Sequence, residues 1–399
     1  MRSQPLARII SAAAALTLLS SSVVSAQVDT RFPEARGQTL VSTVVTSELD
    51  DATSNTLVVE TARSYHQAME GEDKSPSVIR KNAKKQKPRG GFLAVSYDDT
   101  ELLTDSIVGI SQRYEPDVMV ISGGDGQANV GIARTVADET ILIDLGQPRP
   151  CVTETGQADG SGECAGSAGS VPSNYTAVEF AVEDGAYLAG VLAAKASRGG
   201  RLGVISGYEG CRECQRYVEG FVNGARSVNR DIDVVVDYLA DDEISAFSDP
   251  ETARTFTEIF LDVYQPAVLM PVGRATSVAM IEAVCEAGAL AVGTGREIRE
   301  TRPDLDCVMA SVIKDLPRAI KEAMYAFSYG ETVDVMTYDV ADGGVTISED
   351  WAERVAWYPV DTEEIYLEAL DDITSGKRKA CPDGCGGSLP DIERSEETS

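Results

Sequence analysis

Histidine is all but missing: the 399 residues include one, His66, beside the apolar face of a helical segment. That removes the side chain most often used as general base near neutral pH and as metal ligand. No GxSxG elbow and no GxxxxGK[ST] loop occurs, which argues against a serine hydrolase and a P-loop nucleotidase. Gly123-Gly124-Asp125-Gly126 follows a strand-like run but lacks the dinucleotide spacing, so it reads as a turn. Positive charge is scarce too: 35 Lys and Arg stand against 64 Asp and Glu, a formal net charge of −29. Such a surface repels nucleic acid except at a local basic patch, and the plain reading is a solvated acidic exterior. No apolar run reaches the roughly 18 residues that cross a bilayer. No cysteine precedes Cys151. From these absences a non-enzymatic protein is expected, with no cofactor, no nucleic-acid partner and no membrane span.

What is present begins with an address. Arg2 and Arg8 form a positive start, Ile9–Leu19 an apolar core, and Val24-Ser25-Ala26 a small-residue cleavage site. Residues 1–26 are expected to be a signal peptide cut near Ala26, leaving a periplasmic or secreted protein. Residues 27–37 read as a flexible lead-in. Export favours disulfides. The 8 cysteines fall into neighbouring pairs, Cys151 with Cys164, Cys211 with Cys214, Cys285 with Cys307, and Cys381 with Cys385. Local pairing is the simplest expectation, with long-range staples as its rival. A Lys-rich stretch from Gly71 to Gly91 reads as a surface loop or a docking patch for an acidic partner.

The stretch from Asn174 to Phe221 organises the remainder. Its spacing predicts a strand over Tyr175–Phe180, a helix over Glu183–Ser197, a strand over Leu202–Ile205 and a further helix. That is a βαβ unit, whose second strand lies parallel to the first. Upstream, strands are predicted at Thr39–Thr46, Phe92–Tyr97, Val118–Ser122 and Thr140–Leu145, with helices over Asn55–Glu70, Asp99–Tyr114 and Ala128–Asp138. A Gly- and Ser-rich loop, Gly146 to Ser173, reads as a surface insertion. Downstream, strands are predicted at Val234–Tyr238, Val268–Pro271, Ala289–Val292 and Val308–Val312. Helices are predicted at Asp249–Tyr264, Ser277–Ala287 and Leu316–Tyr329. Val333–Ile347 reads as a hairpin, Trp351–Thr374 holds an acidic helix, and the tail beyond Gly376 is expected to be disordered. Alternating short apolar strands and helices, seen twice, give the α/β class with doubly wound parallel sheets.

Glu183–Ala194, EDGAYLAGVLAA, resembles the EEGSYLAGVLAA signature of the basic membrane protein family. These are solute-binding proteins of ABC importers, and the best-understood members are purine-nucleoside receptors. Arg201–Gly207, Phe221–Asn229 (FVNGARSVN), Phe247–Ala253 (FSDPETA) and Ser311–Lys314 (SVIK) continue the resemblance in the family's order. It extends over Thr39 to Ile347. It implies the type I periplasmic-binding-protein fold, two doubly wound parallel-sheet lobes joined by a multi-crossover hinge and closing on a ligand held between them. The lobes are expected at 38–173 plus 311–333 and at 174–310 plus 334–374, ahead of a polar tail at 375–399. Solute-binding members of such families often carry a lipid on a cysteine just after the signal. With none there, no membrane anchor is expected.

Open α/β sheets bind ligands beyond the carboxyl ends of their strands. That selects the loops Thr46–Asn55, Ser122–Gln127, Asp144–Gly146, Ser206–Arg212, Ala240–Asp249, Gly273–Thr276 and Thr294–Glu297, and Lys314. The resemblance then implies roles. Family members stack a purine between aromatics from a DKSFN and a GSFND loop. The second is kept as Phe247; the first is Asp51–Asn55 here, with Ser54 for the aromatic and Asn55 retained. Asp144 takes the place of the carboxylate that binds the base, and Lys314 that of the lysine in SVLK. The ribose carboxylate of a GVDSD loop is replaced by Gly295, which leaves Arg296 or Glu297 for that contact. The aspartate after the first strand is absent, with Ser47 or Glu48 nearby. These departures leave open a purine nucleoside, another small polar solute, or a site no longer used. Core packing for Phe247, a surface lysine for Lys314 and a turn cap for Asp144 are the structural alternatives. Cys211-Arg-Glu-Cys214 at a helix start admits a structural disulfide, a redox pair, or half a zinc site completed by Cys381 and Cys385. The expected function is an exported solute-binding protein that delivers a small polar ligand, nucleoside-like by default, to an ABC permease. The alternatives are a secreted thiol–disulfide or metal-binding protein using Cys211 and Cys214, and a ligand-sensing subunit.

Overall fold

The computed structural model describes residues 40–45, 57–58, 60–64, 91–96, 107–108, 116–122, 141–145, 173–385 with short breaks, and 393–394. The signal, the lead-in, the Lys-rich stretch and the long Gly/Ser loop with Cys151 and Cys164 lie outside these residues. So do Ser47, Ser54 and Asn55. The chain divides into two compact units, one of residues 1–51, 55–179 and 316–336, the other of 52–54, 180–315 and 337–399.

The first unit is built on a six-stranded sheet. Its strands are β1 (Leu40–Val45), β2 (Gly91–Ser96), β3 (Val118–Ser122), β4 (Ile141–Leu145), β5 (Tyr175–Phe180) and β11 (Val335–Tyr338). They lie in the order β11-β5-β4-β3-β1-β2. β1 runs parallel to β2 and β3, and β4 parallel to β3 and β5. Val118 to Ile121, Leu142 and Ile143 are buried on both faces of the pleat. Unbroken apolar runs of this kind are what a parallel sheet covered on both sides requires.

The second unit repeats the plan with seven strands. They are β6 (Leu202–Ser206), β7 (Val234–Tyr238), β8 (Val268–Val272), β9 (Leu290–Gly295), β10 (Val308–Lys314), β12 (Val345–Ile347) and β13 (Glu393–Arg394). Their order is β12-β10-β9-β8-β6-β7-β13, with β12 alone antiparallel to its neighbour. On one face Ile205, Val235, Leu269 and Ala291 pack against α3 (Pro250–Tyr264) and α4 (Ser277–Glu286) through Phe260, Ile281 and Val284. Alternate residues Val204, Val236, Met270 and Val292 are equally buried. α1 (Val182–Ala196) packs on β10 and β12, and α2 (Arg212–Val228) on β6.

Four expectations change. β5 and β6 lie in different sheets, so the helix between them is no crossover within one sheet. Val333–Ile347 forms no hairpin, because β11 joins the first sheet while β12 pairs with β10. Tyr175–Phe180 belongs to the first sheet and Ser311–Lys314 to the second, which moves the lobe boundaries to 179/180, 315/316 and 336/337. Part of the tail is ordered: Arg378 donates to Tyr187 and to Asp372, Asn223 donates to the Ala380 carbonyl, and β13 extends the sheet beside β7. In each case a backbone edge or a polar group finds a partner that periodicity does not encode. Cys211–Cys214, Cys285–Cys307 and Cys381–Cys385 are disulfides, the local pairings expected. Among the described residues no helix is long and apolar enough to cross a membrane.

α1 and α2 meet backbone to backbone. A β-carbon on Gly190 would fall on the Phe221 carbonyl, and one on Gly224 on the Tyr187 carbonyl. These are peptide atoms inside helices, which cannot swing aside. Gly224→Ala is therefore expected to cost about 1–3 kcal/mol as an overpacked contact, read as a lower urea midpoint with unchanged slope. A second prediction concerns the first turn of α1, where burial, then Glu183 and Asp339, push Asp184 from 3.8 up to about 7, against the pull of Arg216. The folded state thus holds a proton that the unfolded chain releases, and stability falls as pH rises from about 4 to about 7. Asp184→Asn should raise the melting temperature above pH 7 and lose that advantage near pH 4.

Candidate functional site

In the second unit β6 is the first strand, with β7 on one side and β8 on the other. Connections therefore depart to opposite faces, and the carboxyl ends of β6 and β8 flank the switch point where such sheets bind ligands. Three connections and the end of β10 supply the side chains there.

Beyond β6 the chain passes Gly207 and Tyr208 and enters α2, capped by the Cys211 sulfur, which accepts from the Cys214 N–H at 3.2 Å. Beyond β7 comes Phe247. Asp249 caps α3 by accepting from the N–H and hydroxyl of Thr252, and Pro250 opens that helix. The FSDP motif is thus a helix start that fixes Phe247 two residues ahead of the cap. The Phe247 ring lies where a Gly207 β-carbon would stand, and Tyr208 meets it edge-on with centroids 6.0 Å apart. Beyond β8, Arg274 places its guanidinium 4.6 Å from the Phe247 centroid. Phe247 is enclosed by these neighbours, with 8% of its surface exposed.

Glu213, in the first turn of α2, is the centre of the charge arrangement. Lys314 Nζ, at the end of β10, donates to its Oε1 at 2.7 Å, and Arg274 Nη2 lies 4.0 Å from its Oε2. Lys314 Nζ also stands 5.6 Å from the centroid of Phe180. Burial pushes the Glu213 carboxyl up, but the charges of Lys314, Arg274 and Arg216 outweigh it and hold the group below its ordinary value. Glu213 therefore remains a carboxylate and keeps both cations at the sheet edge. Arg216 is itself paired with Glu183 at 2.8 Å.

The predicted residues separate into groups. Phe247 and Lys314 come together through Arg274 and Glu213. Glu297 does different work: it caps the short helix α5 (Ile298–Thr301), and its oxygens accept from Ser311, Ser348 and Arg354. Burial raises its carboxyl and the Ser348 and Arg354 hydrogen bonds more than reverse that, so it is a charged internal strut. Arg296 precedes it, half-buried, on the same connection. Gly295 has φ +86°, a conformation suited to glycine, so the backbone here does not favour the carboxylate the resemblance implies. Asp144 lies in the first unit, fully buried, and accepts from the Tyr175 hydroxyl at 2.7 Å. Asn55 and Ser47 fall outside the described residues.

Sequence reasoning missed Tyr208, Glu213 and Arg274. Tyr208 and Arg274 fall in loops the carboxyl-end rule selects, and Glu213 is the acid in the first turn after β6. The cysteines around Glu213 drew the eye instead. Cys211 and Cys214 are 3% and 2% exposed, which shields their bond from an attacking thiolate. Cys381 and Cys385 bond to each other rather than joining Cys211 and Cys214 in a zinc site, and among the described residues Glu219 is the further potential ligand within reach of them.

Residues 154–372 match a family model described as ABC transporter substrate-binding protein PnrA-like. The chain is 29% identical over 202 residues to "Basic membrane protein B" of Borreliella burgdorferi, covering 50% of this chain and 55% of that protein. It is 27% identical over 220 residues to the "ABC transporter nucleoside-binding protein BmpA" of Lactococcus lactis, covering 51% and 59%. The chain thus spans little more than half the length of these curated relatives. Among solved structures, a solute-binding protein of an ABC transporter system from Aeropyrum pernix superposes with a TM-score of 0.66 at 16% identity, covering 86% of this chain and 92% of that one. A Caulobacter myo-inositol binding protein does so with 0.55 at 13% identity, covering 79% and 95%. At such identities the likeness speaks for the fold, which is that of the type I periplasmic binding proteins.

The Glu213–Lys314 pair predicts its own measurement. Lys314→Met leaves a carboxylate with 13% of its side chain exposed lacking its nearest cation, and should cost about 3 kcal/mol in urea denaturation. Lys314→Met combined with Glu213→Leu should recover most of that loss, because neither charge then remains buried.

Proposed function

Because the chain belongs to the family of PnrA-like ABC transporter substrate-binding proteins, whose model spans more than half of it, we propose that it is the exported receptor of an ABC importer. It captures a small polar solute, nucleoside-like by default, at the carboxyl edge of its second sheet and hands it to a permease. The family binds rather than transforms its ligands, so no catalytic group is assigned. The observation that carries the reading is convergence: Tyr208, Phe247, Arg274, Glu213 and Lys314 arrive from four strand ends at one switch point. Apolar surface with a few fixed polar groups is the composition of a small-molecule site.

Each residue has a task. Phe247 and Tyr208 supply the apolar surface, Arg274 and Lys314 supply donors, and Glu213 keeps those donors in place. Asp144, Asn55, Ser47 and Arg296 are proposed as further contacts on the strength of the family resemblance. Glu297 contributes by holding its connection in shape. The signal-like residues 1–26 fit a protein exported to meet its solute outside the cytoplasm.

Thermal-shift screening of nucleosides, bases, sugars and amino acids tests this. A true ligand at a hundredfold excess over its Kd stabilises the fold by about 2.7 kcal/mol. Phe247→Leu keeps the apolar volume and removes the ring on which the Arg274 guanidinium lies, so it should fold and lose at least tenfold in affinity for the ligand. If no class of small solute stabilises the protein, the receptor role is wrong.

A further inference from the structure

We propose that Arg274 makes this receptor selective for a solute carrying a planar ring and one anionic group, a carboxylate or a phosphate. The inference rests on the receptor reading above and narrows its ligand.

Arg274 is unusual by its backbone before its side chain. Its φ is +49°, a left-handed conformation that glycine adopts freely and arginine does not. It stands on the tight turn beyond β8, where a small flexible residue suits the geometry and a long cation does not. Burial does not explain the choice either, since 27% of its side chain is exposed. Strained residues of this kind cluster where a side chain is needed for a purpose other than stability.

What the strain secures is the position of the guanidinium. It is laid 4.6 Å from the centroid of Phe247, while one terminal nitrogen points toward Glu213 at 4.0 Å. This has two consequences. A neutral ring cannot lie on the side of Phe247 that Arg274 covers, and Phe247 as a whole is 8% exposed. A planar ligand at this edge would instead stack on the exposed part of the guanidinium, 27% of the side chain being exposed, and guanidinium groups stack on flat rings. The second consequence is charge selection. A guanidinium presents parallel N–H donors in a fixed fork that matches a carboxylate or a phosphate. Lys314, drawn to the same carboxylate of Glu213, adds a second cation to that edge. A sugar hydroxyl or an amide uses such a fork less well than an anion does.

The test is isothermal titration of the full-length protein with two matched pairs, adenosine against adenosine monophosphate and uracil against orotate. Three proteins are compared: the wild type, Arg274→Gly and Arg274→Lys. Expected is that the anionic member of at least one pair binds the wild type at least tenfold more tightly than its neutral partner. Arg274→Gly should remove that preference and give adenosine or uracil at least equal standing. Arg274→Lys should keep part of the preference, since it retains the charge and loses the fork. The proposal is overturned if the neutral member binds the wild type as well as the anionic one, or if Arg274→Gly leaves the preference intact; in both cases the receptor reading stands. It is equally overturned if none of the four compounds binds, and the broader solute screen then decides whether the receptor reading falls with it.

Discussion

Two helix backbones in direct contact set the rest of the second unit. α1 and α2 cross at Gly190 and Gly224, with no side chain between peptide groups. So close a crossing leaves little freedom in how α2 lies on β6, and its first turn therefore reaches the carboxyl edge of the sheet in a defined place. The disulfide between Cys211 and Cys214 and the Cys211 cap secure that turn locally. The tail adds a clamp over the same pair, since Arg378 reaches Tyr187 on α1 and the Ala380 carbonyl accepts from Asn223 on α2.

What the first turn delivers is Glu213. A buried carboxylate is unfavourable alone, and its charge here is sustained by cations from two different strand ends. The same attraction brings Lys314 and Arg274 to one place and ties the end of β10 to α2. Stability and site chemistry thus share their residues. Glu297 is a parallel case on the neighbouring connection, with its charge turned inward toward Arg354 and two serines.

Much of the fold was legible in the residues themselves. Val118–Ser122 and Val234–Tyr238 begin and end where β-branched runs meet turn residues, and the helix at Pro250 starts at its Asp249 cap. The family signature in α1 was legible for a physical reason, as its glycine is where α2 touches. The connectivity of strands was not legible. Nothing local in Tyr175–Phe180 says that it pairs with β4 rather than with β6, and nothing in Val335–Tyr338 keeps it from turning back on β12. The site was half legible: Phe247 and Lys314 were marked by motif, while Glu213 matters through Lys314, 101 residues away, and Arg274 through Glu213, on a helix that follows a different strand.

By itself the sequence determined the class, the alternation and the family, because each depends on neighbours a few positions apart or on an uninterrupted motif. The tertiary structure alone decided which sheet each strand joins, that Glu297 is a strut, and that Arg274 lies across Phe247. Those outcomes depend on which distant groups satisfy a buried charge, a sheet edge or an aromatic face, and no local periodicity carries that information.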